Sequence, residues 1–251
     1  MRKLSIIGIG AGNPDYLTVQ AINALKTLDV VFLIDKGSEK SALTALRTEI
    51  CERYIANKAF RIVAAEDPAR DRSPRDYESA VADWHAKRAA IYERMIREEL
   101  ADGQHGAFLV WGDPCLYDST LRIVDQVAAM GTVAFEVEVI PGITSIQALA
   151  ARHKIPINRI GEPVLITTGR KLAERQSRDA VVMLDGGSAF TTVEDEDVEI
   201  FWGAYLGTGD EILASGPLRE CTDEIQKIKT DARARHGWIM DTYLLRKTVA
   251  S

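Results

Sequence analysis

The 251-residue chain has no apolar run approaching the ~20 uncharged residues that a bilayer span requires, so no membrane-spanning helix is expected. It is poor in cysteine. Cys51, Cys115 and Cys221 lie far apart, show no CxxC spacing and are odd in number, which excludes a closed disulfide framework and suits a reducing cytoplasm. Positive charge is in deficit as well: 31 Lys and Arg against 37 Asp and Glu leave a net charge of −6, which argues against a broad nucleic-acid-binding face. Repeats, low-complexity tracts and Gly/Ser linkers are missing. The opening MRKLSIIGIGAGNP has two basic residues before an apolar run, but the run ends at glycines with no small-residue cleavage site, so it reads as a first strand.

What is present is an ordinary globular composition, 46% hydrophobic and 27% charged. The length exceeds the usual single domain of roughly 100–200 residues. Short apolar runs at Leu4–Ile9, Val30–Ile34, Phe60–Ala64, Ala107–Trp111 and Val137–Ile140 alternate with helical patterns, the signature of a mostly parallel sheet buried on both faces. A long helical insert at 66–102, with DWHAKRAAIYERMIREEL as its strongest helix, separates the third and fourth runs. Beyond Pro141 the texture changes. Strands are expected at Pro163–Thr168, Ala180–Asp185, Glu199–Leu206 and Gly237–Arg246, with helices at Lys171–Arg178 and Arg219–Ala234. The expectation is two α/β domains, 1–147 and 148–251, with a ligand cleft between them.

Three strand ends carry loop chemistry. Gly8, Gly10 and Gly12 precede Asn13-Pro14 and a helix over Leu17–Leu28, so a ligand can approach the backbone closely there. Asparagine stands where the dinucleotide fingerprint needs its third glycine, although Asp35 sits about where a ribose-binding acid would be. Gly112-Asp113-Pro114 follows the run FLVW, and Pro141-Gly142-Ile143-Thr144-Ser145 follows another strand, with Thr144 or Ser145 available to cap the next helix. Each loop alone is explicable as a turn. Together they mark the carboxyl edge of an open sheet, where ligands bind.

The segments GIGAGNPDYLT, WGDPCLYDS and VIPGITSIQALAARHKIPI, in that order, resemble the tetrapyrrole methylase family, and VVMLDGG and FWGAYLGTGDEILASGPL resemble its second domain. The resemblance implies a fold distinct from Rossmann-type methyltransferases and S-adenosylmethionine as methyl donor. The pattern FLIDKG, the insert DPARDRSPRDYESAVADWHAKRA and the later FWGAYLGTGDEILASGPL resemble the branch that methylates precorrin-5 at C1 and releases the C20 acetyl group as acetate in cobalamin synthesis. The resemblance also implies a homodimer, and no metal is called for.

Carried over residue by residue, the resemblance implies that Gly10, Ala11, Trp111, Gly112, Asp113, Leu116, Thr144 and Ser145 contact the cofactor. It places Asp185, Ala204 and Gly207 around the adenine, with Asp185 reaching a ribose hydroxyl or lying in solvent, and Gly207 alternatively an ordinary turn. A substrate bearing several carboxylates needs cations, and Arg70, Arg72 and Arg75 cluster in the insert, while Val81, Trp84, His85 and Arg88 share one helical face. Trp84 offers a macrocycle a flat apolar partner; otherwise it is core and Arg88 a solvated helix residue. Releasing acetate requires water to add to a carbonyl, and Asp35 or His85 could take that water's proton, unless Asp35 caps a helix and His85 only packs beside Trp84. His105, His153 and His236 read as structural or exposed. Two alternatives stay open: methylation at another corrin carbon, and a nicotinamide-dependent dehydrogenase.

Overall fold

The computed structural model describes residues 1–35, 41–56, 59–69, 77–175, 178–195 and 197–248. Two compact units emerge: Met1–Gly10 with Pro14–Ile143, and Ala11–Asn13 with Thr144–Ser251. The division comes at Ile143/Thr144 where the sequence suggested 147/148, and the first loop's Ala11–Asn13 groups with the second unit.

In the first unit, β1 (Arg2–Gly8), β2 (Val30–Asp35), β3 (Arg61–Glu66), β4 (His105–Val110) and β5 (Phe135–Ile140) form one parallel sheet in the order β3-β2-β4-β1-β5. Both faces are covered, which is why β1 and β4 read as mostly apolar runs. Leu4, Ile6, Phe32 and Phe108 pack under α3 (Tyr77–Glu99) and α4 (Thr120–Met130); Ile7, Ile9, Val31 and Leu109 pack with α1 (Val19–Leu25) and α2 (Ser41–Tyr54). The helical insert is thus the crossover between β3 and β4. Thr18 shortens the expected first helix by serving as its cap, accepting from Ala21 N at 3.1 Å.

His105, at the amino end of β4, is buried, its ring nitrogens 2.7 Å from Ser5 Oγ and 2.9 Å from Thr27 Oγ1. Burial, then the Lys3 ammonium, lowers its pKa below the ordinary 6.5, with Glu138 and Asp29 opposing. The unfolded chain therefore binds this proton first, so the stability His105 contributes is complete above about pH 6.5 and is lost as pH falls toward the lowered folded value. Thermal midpoints measured from pH 7.5 to 5 should fall more steeply for the wild type than for His105→Gln; parallel curves would contradict this.

The second unit is a mixed sheet in the order β6-β7-β10-β8-β9, from β6 (Leu165–Thr168), β7 (Ala180–Met183), β8 (Val198–Ala204), β9 (Ile212–Pro217) and β10 (Asp241–Lys247). Only β6 and β7 pair in parallel. It packs with α5 (Ser145–His153) and α6 (Leu218–His236). Three expectations need correction. The helix at Lys171–Arg178 is a 3₁₀ segment, Gly169–Arg175. The last strand begins at Asp241, because Gly237 takes a left-handed cap that ends α6. Strand β9 lies in a stretch not expected to be one.

Candidate functional site

In the first unit, the loops after β1, β4 and β5 meet at the sheet's carboxyl edge. Gly10 and Gly112 exchange backbone hydrogen bonds, Gly10 N to Gly112 O at 3.2 Å and Gly112 N to Gly10 O at 2.8 Å. A Cβ on Gly142 would lie 2.0 Å from Gly112 O, and one on Gly8 would lie 2.6 Å from Gly142 N. The glycines therefore first allow the loops to approach one another. Asp113 joins them further: its Oδ2 accepts from Gly142 N at 2.8 Å and its Oδ1 from Cys115 N at 2.7 Å. Trp111 packs half-buried against the α1/α2 core, and Leu116 is half-buried.

The far end of the β4 loop is tied to the helices. Asp118 Oδ1 accepts from Thr120 N at 2.6 Å at the start of α4, and Ser119 Oγ lies 3.0 Å from His85 Nε2. His85 is buried and does pack beside Trp84, ring centroids 5.3 Å apart, yet it also reaches this loop. Arg47 of α2 donates Nε to Leu109 O at 3.0 Å. Burial lowers the pKa of its guanidinium, with Asp118 the leading opposing influence. Arg47 was not legible as a site neighbour, because one arginine on a helix reads as a solvated face.

Arg70, Arg72 and Arg75 lie outside the described residues. Arg88 is no solvated residue: it is buried, ion-paired with Asp67 at 2.9 Å and set 4.6 Å from the Trp84 ring. Its charge is already balanced, so substrate capture by Arg88 would have to displace Asp67. Trp84 is half-buried and donates Nε1 to Pro68 O at 3.2 Å. Asp35 is the exposed last residue of β2, and its carbonyl accepts from Asp67 N at 2.9 Å.

In the second unit, Thr144 caps α5, its Oγ1 accepting from Ile146 N while its own N–H donates to Gln147 Oε1. Ser145 Oγ accepts from Thr242 Oγ1 at 3.0 Å. Asp185 is not in solvent. It is 4% exposed, and its Oδ2 accepts from both Tyr243 OH and Ala189 N at 2.7 Å, so its carboxylate organises the end of β7. Burial and that carboxylate push the Tyr243 phenol far up. Ala204 is the buried last residue of β8; Gly207 follows in a turn with φ +77° and donates N–H to Glu211 Oε2 at 2.9 Å.

One feature of these rims has no sequence signal. Tyr117, Leu184 and Tyr205 all have left-handed φ, at 50°, 54° and 49°; Leu184 and Tyr205 directly follow β7 and β8, and Tyr117 lies in the loop between β4 and α4. Non-glycine residues held there concentrate at functional sites. Among the described residues no group of three or more His, Cys, Asp or Glu could hold a metal ion.

The parallel sheet with interlocked loops, together with the mixed second sheet, defines a methyltransferase class: the profile of the Tetrapyrrole (Corrin/Porphyrin) Methylases matches residues 3–222, and the chain belongs to that family. It is 55% identical over 250 residues, 98% of this chain and 96% of the relative, to precorrin-6A synthase (deacetylating) of Sinorhizobium sp. The structure of CobF, a cobalamin synthesis related protein of Corynebacterium diphtheriae, matches with TM-score 0.85 and 43% identity, covering 98% and 99% of the two chains. Uroporphyrin-III C-methyltransferase of Thermus thermophilus, solved with S-adenosylhomocysteine, shares the fold at TM-score 0.60 and 17% identity, covering 97% and 96%. The dehydrogenase alternative falls with this assignment.

Proposed function

We propose that this enzyme transfers a methyl group from S-adenosylmethionine to C1 of precorrin-5 and releases the C20 acetyl group as acetate, giving precorrin-6A. The near-full-length identity to precorrin-6A synthase (deacetylating) carries this reading. S-adenosylmethionine supplies an electrophilic methyl on a sulfonium, which leaves as a neutral thioether. The strand-end loops suit such a group, because the half-buried side chains Trp111 and Leu116 stand beside the carbonyls of Gly10 and Gly112, each of which keeps a lone pair after their mutual hydrogen bonds. In the first unit the cofactor-binding residues are Gly10, Trp111, Gly112 and Leu116, with Asp113 holding their loops in register. In the second they are Ala11, Thr144, Ser145, Ala204 and Gly207, with Asp185 fixing the end of β7.

The enamine carbon of the substrate is itself nucleophilic, so these residues need mainly to position it and exclude water. Deacetylation asks more. A group must take the proton of the water that adds to the acetyl carbonyl, an effect commonly worth ~10²–10⁴ in rate. Our candidates are His85, joined to the β4 loop through Ser119, and Asp35 at the exposed end of β2. Trp84, Arg70 and Arg72 are proposed to contact the substrate, and Arg88 to orient Trp84. A cytoplasmic homodimer acting without nucleic acid completes the reading; the net charge of −6 supports the last of these, and the dimer is proposed from the resemblance to the family.

Purified protein incubated with precorrin-5 and S-adenosylmethionine should yield a pigment bearing one more methyl group and lacking the acetyl group, with acetate released in equal amount. Methylated pigment that keeps its acetyl group, with no acetate released, would overturn the assignment.

A further inference from the structure

We infer that the ring of Tyr117 is a contact surface for the face of the tetrapyrrole macrocycle, an inference that rests on the function proposed above. A bulky aromatic residue with φ 50° is a true backbone outlier, and such strain persists only where the surroundings impose it. They do so here from both sides. Before Tyr117, Leu116 N donates to Asp113 O at 3.3 Å and Cys115 N to Asp113 Oδ1; after it, Thr120 N donates to Asp118 Oδ1 and Ser119 meets His85.

The fold gains nothing visible from the side chain so placed. Tyr117 is 45% exposed, and its hydroxyl has no hydrogen-bond partner among the described residues. Tyr205 makes the contrast: at nearly the same φ it is buried, its ring lies 5.3 Å from Trp238 and 5.0 Å from His236, and its hydroxyl donates to Trp238 O. Packing and a hydrogen bond offset the strain at Tyr205. At Tyr117 the loop's own hydrogen bonds hold the strained backbone, and the ring is left presented outward, available to a ligand.

The position selects the ligand. Tyr117 follows Gly112 and Leu116, assigned to the methyl donor, and precedes Ser119, the link to His85. The methyl acceptor has to lie between donor and acid–base group, and a conjugated macrocycle presents the flat apolar face that a phenol ring stacks upon.

Tyr117→Gly removes the ring and relieves the backbone, so it separates binding from folding. Its thermal midpoint should equal or exceed that of the wild type, while KM for precorrin-5 rises about tenfold and the calorimetric affinity for S-adenosylhomocysteine moves far less. Tyr117→Phe, which keeps the ring, should recover most of the lost substrate affinity. Wild-type turnover of precorrin-5 with KM unchanged in Tyr117→Gly would overturn this inference alone, as would a lowered midpoint accompanied by equal losses of both ligands. No turnover by the wild type would overturn the proposed function, and this inference with it.

Discussion

Gly142→Ala is expected to reduce affinity for S-adenosylmethionine on the order of 100-fold, the scale of loss that follows when a site is displaced by ~1 Å. The added carbon would lie 2.0 Å from Gly112 O and 2.8 Å from the backbone of Gly8. Neither neighbour is a side chain that can rotate away, so the ends of β1, β4 and β5 must separate. Separation strains the Gly10–Gly112 bridge and the bond from Gly142 N to Asp113, the contacts that give the three loops one shape. Gly106→Ala provides the comparison. Its Cβ would meet the side chains of Phe32 and Leu100 at 2.9–3.2 Å in the α3/α4 core, away from these loops. That variant should lose stability and keep its affinity for S-adenosylhomocysteine. Calorimetry giving wild-type affinity for a folded Gly142→Ala protein would dismiss the interlocked glycines as the basis of the cofactor site.

The parallel sheet of the first unit was legible because each of its central strands is covered on both faces, so β1 and β4 had to be short, mostly apolar runs, interrupted in β1 by the buried Ser5. Strand β9 was hidden for the opposite reason. ILASGP is a half-exposed edge strand broken by Ser215 and Gly216, and nothing in it alternates cleanly. The site divided along similar lines. Its loops were readable from glycine and proline at strand ends, which are local signals. What the side chains do there was not, because their partners are distant in sequence: Asp113 meets Gly142 and Asp185 meets Tyr243. Arg88 looked available for a substrate carboxylate only because its partner, Asp67, lies beyond a whole segment of chain. Backbone strain at Tyr117 and Leu184 leaves no trace in residue type at all.

The largest stability effect is expected deep in the second unit, at a pair that sequence reading passed over. Lys229 and Asp241 have side chains only 4% exposed, and Lys229 Nζ lies 2.8 Å from Asp241 Oδ2. The same carboxylate oxygen accepts from Trp202 Nε1 at 2.8 Å, and Lys229 also donates to Asp185 O at 3.0 Å. One carboxylate therefore serves a buried ammonium and a buried indole, while the ammonium helps hold the end of β7. Asp241→Leu leaves a buried cation without its counter-charge, a change that costs about 3–5 kcal/mol. Lys229→Met, which fills similar space, strands the carboxylate and should cost a comparable amount. Removing both charges together is a different case: Lys229→Met with Asp241→Leu removes the mutual dependence, so the double variant should be far more stable than the sum of the single losses implies. Trp202 Nε1 still loses its acceptor, which keeps the double variant below wild type by about 1–3 kcal/mol. Urea unfolding followed by tryptophan fluorescence measures all four proteins. Single variants within about 0.5 kcal/mol of wild type, the range of ordinary surface substitutions, would mean that the pair is not the buried keystone its geometry describes.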